Sequence, residues 1–428
     1  MNGVADAFGA RAARLVVLAT LLFNMALAFA NTQGFPIREI HVVAAELALV
    51  GSAFLLVWNR SEAFYAIAAA LGGWLVFAMV MRGGFEPKVV RDAFIPLLFY
   101  LLGRYRGSPE SADRLVAAAL AIVSAVALFE WLFLDAFLRL VDVLGYYVAR
   151  GSIDPSEAGE EAGLFISGLR FEGRTLLPFL CEHRVSSVFL EPVSLGNFAP
   201  IVFAWVLLRD RSRPLALIGK TALVAMLLVL GDARFGIYLC ALVVVVYLVA
   251  PLVRPGVVFA APFVVAVALV VHAGMNVGVP WDNSFTGRLL FSGRLLSTLD
   301  VAQMLGLEAS TVDFVDSGYA TVVSQFGLFG AAGLWAVYVF GAPAATADAW
   351  RYKLFVCAYL VLLLSISTSL LTIKTAALLW FLAGASAAQP GFRPPLRLRA
   401  RRARPRGEPA RCGRVWPPAP QSARRYRR

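Results

Sequence analysis

Histidine is almost missing from this chain: His41, His183 and His272 are the only three in 428 residues. The four cysteines, Cys181, Cys240, Cys357 and Cys412, show no paired spacing. The sequence therefore offers no pattern for a multi-histidine metal site, a thiolate cluster or a disulfide framework, and no cofactor is expected. Charge is scarce as well. Only 15% of residues are charged, against about 25% in an ordinary soluble domain. That scarcity excludes a soluble globular fold.

What fills the chain instead is apolar sequence, 60% of all residues. Runs of about 18 or more apolar residues recur with few interruptions, longer than core helices need and suited to a bilayer. Twelve transmembrane helices are expected, an all-α polytopic membrane protein. The spans fall near 15–33, 40–58, 62–81, 90–103, 113–134, 188–208, 214–231, 233–250, 256–272, 318–340, 353–368 and 370–386. The net charge of +12 has one source. Residues 393–428 hold thirteen arginines and a single acid, Glu408, so residues 1–392 are neutral. This Pro- and Ala-rich tail is expected to be a disordered cytoplasmic segment facing anionic lipid rather than nucleic acid.

Orientation follows from the short loops. Arg11 and Arg14, then Arg60, then Arg104, Arg106 and Arg114 mark alternate connections, and the series continues through Arg209, Arg211, Arg213, Arg254, Arg351 and Lys353 to the tail. These mark the cytoplasmic side, with both termini inside. The connection bearing Arg82, Lys88 and Arg91 breaks the pattern. The first apolar stretch ends Ala28-Phe29-Ala30, like a signal-peptide cleavage site, but the charge alternation favours a retained helix. Two long connections, about 135–187 and 273–316, fall outside. The first opens with an amphipathic stretch from Asp135 to Tyr147, expected to lie along the interface with its aromatics at headgroup level.

Chemistry-bearing residues collect on this external side. Arg170, Glu172 and Arg174 precede Cys181-Glu-His183-Arg184, and Glu191-Pro192 follow where the chain re-enters the membrane. A buried carboxylate there faces either a cavity or a partner, with Arg184 or Arg234 as the candidate ion-pair partner. Desolvation would raise Glu191 toward neutral pH. Gly231-Asp232-Ala-Arg234-Phe-Gly236 forms a short external turn. Trp281-Asp282-Asn283 leads to Arg288 and Arg294, and Asp316-Ser317-Gly318-Tyr319 leads to Gln325-Phe-Gly327-x-x-Gly330. Each has a bland alternative: arginines snorkel, Asp316 and Ser317 cap a helix, and glycines let helices pack. Together, so much positive charge outside suggests an anionic partner such as a pyrophosphate, which arginine matches bidentately.

Arg184-x-x-x-x-Phe189-x-Glu191-Pro192-x-x-x-Gly196, the turn Asp232-Ala-Arg234, and Asp316-Ser-Gly318-Tyr319 with Gln325-Phe-Gly327-x-x-Gly330 resemble the Wzy-type polysaccharide polymerases, nearest the xanthan type, and the related O-antigen ligases. The resemblance implies a bacterial inner-membrane glycosyltransferase. It would move a growing chain from undecaprenyl pyrophosphate onto a new lipid-linked repeat unit at the periplasmic face, making exopolysaccharide or O-antigen. It implies pyrophosphate binding by Arg184, Arg234 and Arg288. Glu191, His183 and Asp316 are the candidates for the catalytic base. Arg170, Arg174, Trp281, Arg294 and Tyr319, with Phe171, would contact the glycan. Membrane lipid, a polysaccharide co-polymerase and export machinery are the further partners implied. The alternatives are a ligase, disfavoured because the second long connection holds no histidine, and a polytopic transporter or flippase.

Overall fold

The computed structural model describes residues 2–59, 62–154, 183–280, 284–310 and 317–388, together with Leu164, Gly168, Leu177, Asp282, Val312 and Phe314. The basic tail, 393–428, and most of the connection before His183 lie outside the described residues. Met1–Pro390 form one compact unit, in which every regular element among the described residues is helical.

Among the described residues, twelve longer α-helices and four short ones follow one another. The chain begins with α1 (Asn2–Thr32), α2 (Glu39–Val57), α3 (Glu62–Arg82), α4 (Pro87–Arg106) and α5 (Pro109–Leu132). Two short helices, α6 (Leu134–Leu140) and α7 (Val143–Ala149), open the first long connection. Next come α8 (Pro192–Arg209), α9 (Pro214–Leu230), α10 (Arg234–Val249) and α11 (Pro255–Met275). The second connection carries α12 (Phe285–Ser297) and α13 (Val301–Met304). Last are α14 (Gly318–Ala336), α15 (Ala347–Leu363) and α16 (Ile373–Ala387). Local chemistry sets many boundaries. Proline opens α4, α5, α8, α9 and α11, where its missing N–H costs nothing. Ser108, Ser284, Ser317 and Thr346 cap the helices that follow them.

Among the described residues, eight helices are long and apolar enough to cross a membrane, and two more, α9 and α16, are apolar but shorter. The chain is therefore a multi-pass α-helical membrane protein. α8 is 78% buried inside the bundle, whereas α2 and α11 are 17% buried, so α8 is central and the other two are peripheral. Outward faces carry Leu55, Val80, Leu248 and Val264 exposed, the inside-out pattern that lipid permits and water does not. In α16, every residue from Ile373 to Ala385 is buried. α8 and α16 thus form the middle of the bundle, and both begin at the same end of it.

The stretch from Asp135 to Tyr147 differs from its expected form. It breaks at Val141–Asp142 into α6 and α7, and Tyr146 and Tyr147 turn inward, fully or nearly buried. Each finds a polar partner there: Tyr146 Oη donates to Asn24 Oδ1 of α1 (2.9 Å), and Tyr147 Oη donates to Glu191 Oε1 (2.6 Å). A phenol can leave the interface when its hydroxyl has an acceptor inside.

Candidate functional site

The residue at the centre of the polar end is Glu191, immediately before α8. Its Oε1 accepts from Tyr147 Oη and from Lys374 Nζ (3.1 Å), and its Oε2 accepts from Ser194 Oγ (3.1 Å). Lys374 is the second residue of α16, so one ion pair joins the starts of the two central helices. The expected partners of Glu191, Arg184 and Arg234, are replaced by this lysine. The expected upward shift is also corrected. Burial alone would raise the carboxyl, but Lys374, Tyr147 and Ser194 outweigh it and hold Glu191 below the usual range. A carboxylate so engaged holds Lys374 and Tyr147 in place; it is poorly suited to take up a proton near neutral pH.

The network extends sideways. Arg150 lies over the rings of Tyr146 and Tyr147 and donates to Glu39 at the start of α2 (3.0 Å). On α4, Arg91 bonds Glu46 of α2 and Asp92 (2.8 Å to the latter). These groups all occupy the end of the bundle where α2, α4, α8 and α16 begin, so their N-terminal dipoles point at one polar region.

The arginine turn lies beside it. Arg184 Nε donates to the carbonyl of Gly231 (3.1 Å) and its terminal nitrogen to that of Asp232 (3.5 Å). Arg234 Nε lies 3.9 Å from Asp232 Oδ1 with 45% of its side chain exposed. Asp232 itself has positive φ (+47°). Gly196 of α8 meets Ala233, and a Cβ on Gly236 would meet the Gly196 carbonyl; the two glycine motifs are the crossing of α8 and α10. Phe285 stacks on Phe235 (centroids 6.1 Å), which draws α12 and its Arg288 to the same side. Arg184 and Arg234 are thus brought to one turn, with the helix bearing Arg288 alongside.

Other expected site residues fall elsewhere. His183 is buried with Nε2 3.9 Å from Glu130 Oε1. Glu130 is fully buried and accepts from Ser186 N (2.9 Å), Ser186 Oγ and Ser187 N (2.6 Å), pinning a backbone whose Ser187 has positive φ. Arg294 donates to the carbonyls of Asn276 and Val279 and so closes the end of α11. Tyr319 is buried, its hydroxyl donating to Val361 O (3.1 Å); it belongs to the packing of α14 on α15. Asp316, Arg170, Arg174, Phe171 and Trp281 lie outside the described residues.

The Gln325-Phe-Gly327-x-x-Gly330 motif is a helix break. Gly327 sits at φ +67°, ψ 159° inside α14, a conformation essentially limited to glycine. The carbonyls it releases are taken by Trp74 Nε1 on Phe326 O (2.6 Å) and by Arg82 on Ser324 O (2.6 Å) and Gln325 O (2.9 Å); Arg82 also reaches Gly306 O (2.9 Å). The motif and the charge anomaly at Arg82 thus explain each other: a break in a membrane helix needs donors, and arginine supplies several.

Lys374, Tyr147, Glu130 and the Arg91–Asp92 pair are the polar residues that motif reading left out. Their signal was position: ionisable side chains within apolar runs are costly and rarely idle. Fold and site together define a multi-pass helical membrane protein with a charged, hydrogen-bonded interior at one end. Comparison with protein-family models, with curated proteins and with solved structures finds no match for this chain.

Proposed function

We propose that this protein is a membrane glycosyltransferase that polymerises undecaprenyl-pyrophosphate-linked oligosaccharide repeat units at the periplasmic face of the bacterial inner membrane. In this reading α4, α9, α15 and α16 complete a set of twelve spans, both termini are cytoplasmic, and the polar end faces outward. The acceptor hydroxyl oxygen bonds to the anomeric carbon of the donor while that carbon's bond to pyrophosphate breaks. The electron pair leaves with the pyrophosphate, and the hydroxyl proton passes to a base. Arg234 meets the leaving group, with Arg184 shaping the turn that presents it and Arg288 on the neighbouring helix. Asp316 stays the candidate base, and Glu191 holds Lys374 and Tyr147 in place. A polysaccharide co-polymerase and export machinery are the proposed protein partners.

The observation that carries this reading is Arg234, half exposed, on the turn whose Ala233 packs against Gly196 of α8, with the Glu191–Lys374–Tyr147 network at the start of that helix and of α16. Preorganised charges in a partly dry site stabilise a departing anion without a metal. A second reading, a flippase, is favoured by the broken helix α14, since discontinuous helices line many transport paths. Deleting the gene and analysing the lipid-linked pool separates the readings. Accumulated single repeat units on the periplasmic leaflet, with polymer lost, support the polymerase. Units held on the cytoplasmic leaflet support the flippase, and polymer that forms on its lipid without reaching lipid A–core supports a ligase.

A further inference from the structure

Two cavities meet at Asp92. One, of about 490 Å³, is polar and lies between the α3–α4 connection, the first turns of α14 and the α15–α16 connection. Its wall holds Thr321, Ser324, Thr368 and Thr372; Lys88 and Arg91 stand at its rim, with Glu86, which pairs with Arg82 (3.7 Å). The other, of about 520 Å³, is apolar and runs between α4 and α14. Asp92, Pro96, Tyr100 and Arg104 line it at successive turns of α4, a rise of about 18 Å from first to last. It is bordered by Leu328 and Val337, both about two-fifths exposed, on faces that lipid would cover. Asp92 and Leu371 line both cavities.

The polar cavity has acceptors that lack donors. Asp92 is 2% exposed, and its Oδ1 takes the Arg91 guanidinium while its Oδ2 has no hydrogen-bond partner. Gln325 Oε1, on the same wall, is buried without one. Buried acceptors of this kind are costly unless something donates to them. Lys88, exposed at the rim, makes no hydrogen bond or ion pair among the described residues. The three features point to a single molecule with an apolar chain, a phosphate and several hydroxyls. A compact ammonium headgroup would satisfy Asp92 but leave the threonine and serine wall unused.

We infer that the joined cavities bind a lipid-linked sugar phosphate, with its chain along α4 and α14, its phosphate near Lys88, and its hydroxyls donating to Asp92 and Gln325. Its assignment as the second, acceptor substrate rests on the polymerase reading; the binding does not. The test is native mass spectrometry of the full chain released from detergent with undecaprenyl-phosphate-linked glucose, phosphatidylethanolamine, phosphatidylglycerol or glucose 1-phosphate. Selective retention of the lipid-linked sugar is expected. Retention should fall about tenfold in Ala332→Trp, which fills the apolar groove, and in Gln325→Leu, which removes an acceptor. Arg211→Ala, at the opposite end, serves as the control. Equal retention of phosphatidylethanolamine, retention of glucose 1-phosphate alone, or undiminished retention in both variants would overturn the inference. If retention follows the expected pattern while the deletion strain accumulates no repeat units, the site stands and its place in polymerisation falls.

Discussion

Replacing Lys374 by methionine removes the cation from Glu191 while keeping the length of the side chain. The lysine side chain is 9% exposed and the glutamate 27%, so the pair is largely out of water. Removing one member of a buried pair costs about 3–5 kcal/mol because the other charge is stranded. Here Tyr147 and Ser194 still donate to Glu191, and its partial exposure lets water help, so about 2 kcal/mol is expected. The assay is the thermal unfolding midpoint of detergent-purified protein, which should fall by several degrees. Glu191→Gln strands Lys374 in turn and should cost a similar amount. The double variant has no stranded charge and should be more stable than the sum of the singles by about 1.5 kcal/mol. Additivity of the three variants within about 0.5 kcal/mol would refute the argument that these two charges depend on each other. Polymer synthesis gives a second readout. The double variant should fold and still fail to polymerise; full activity in it would reduce the pair to a structural clamp.

Arg184→Ala should lower both the unfolding midpoint and polymer yield, because it uncaps the Gly231–Asp232 turn. Arg234→Ala should spare the midpoint and abolish polymer, and an equal loss of stability in the two would remove the distinction between them. Gly327→Ala should cost about 2 kcal/mol, read as a lower midpoint in detergent; an unchanged midpoint would mean that α14 runs straight. Arg82→Lys should lower the midpoint as well, since one ammonium cannot reach the carbonyls of Gly306, Ser324 and Gln325 together. The pH response follows from Glu191. Its folded-state pKa is held below the ordinary carboxylate value, so its stabilisation is complete above about pH 4.3 and is lost as pH falls through the lower folded value. Midpoints measured from pH 7 to pH 3 should show this loss in the native chain and lack it in Glu191→Gln.

Much of the fold was legible because bilayer helices advertise themselves by length and hydropathy. Helices occur where each of the twelve apolar runs was read, and eight reach the length and hydropathy needed to cross. The site was legible only in part, because pairing across the bundle has no local signature. Glu191 was visible as a carboxylate at a membrane edge, yet its partner Lys374 lies 183 residues away. The amphipathic look of Asp135 to Tyr147 suggested an interface helix, and nothing in that stretch reveals that Asn24 and Glu191 wait inside for its tyrosines.

Positive charge in the sequence suggests an anionic ligand, and the structure sorts the described arginines at the polar end by what each guanidinium touches. Arg82, Arg184 and Arg294 hold main-chain carbonyls at a helix break, a tight turn and a helix end. Those are the places where a membrane protein has backbone acceptors that neither helix nor water satisfies. Arg91 and Arg150 hold carboxylates. Five arginines therefore have structural work that explains their presence without any ligand, and their substitution should cost folding whatever the protein does. Arg234 is different: among the described residues its partner is the Asp232 carboxylate 3.9 Å away, and nearly half its side chain is exposed. An anion arriving at this end would be met by Arg234 and, across the bundle, by Lys88. The functional weight placed on positive charge thus narrows from a general excess to a few side chains, which makes the pyrophosphate reading easier to refute by single substitutions.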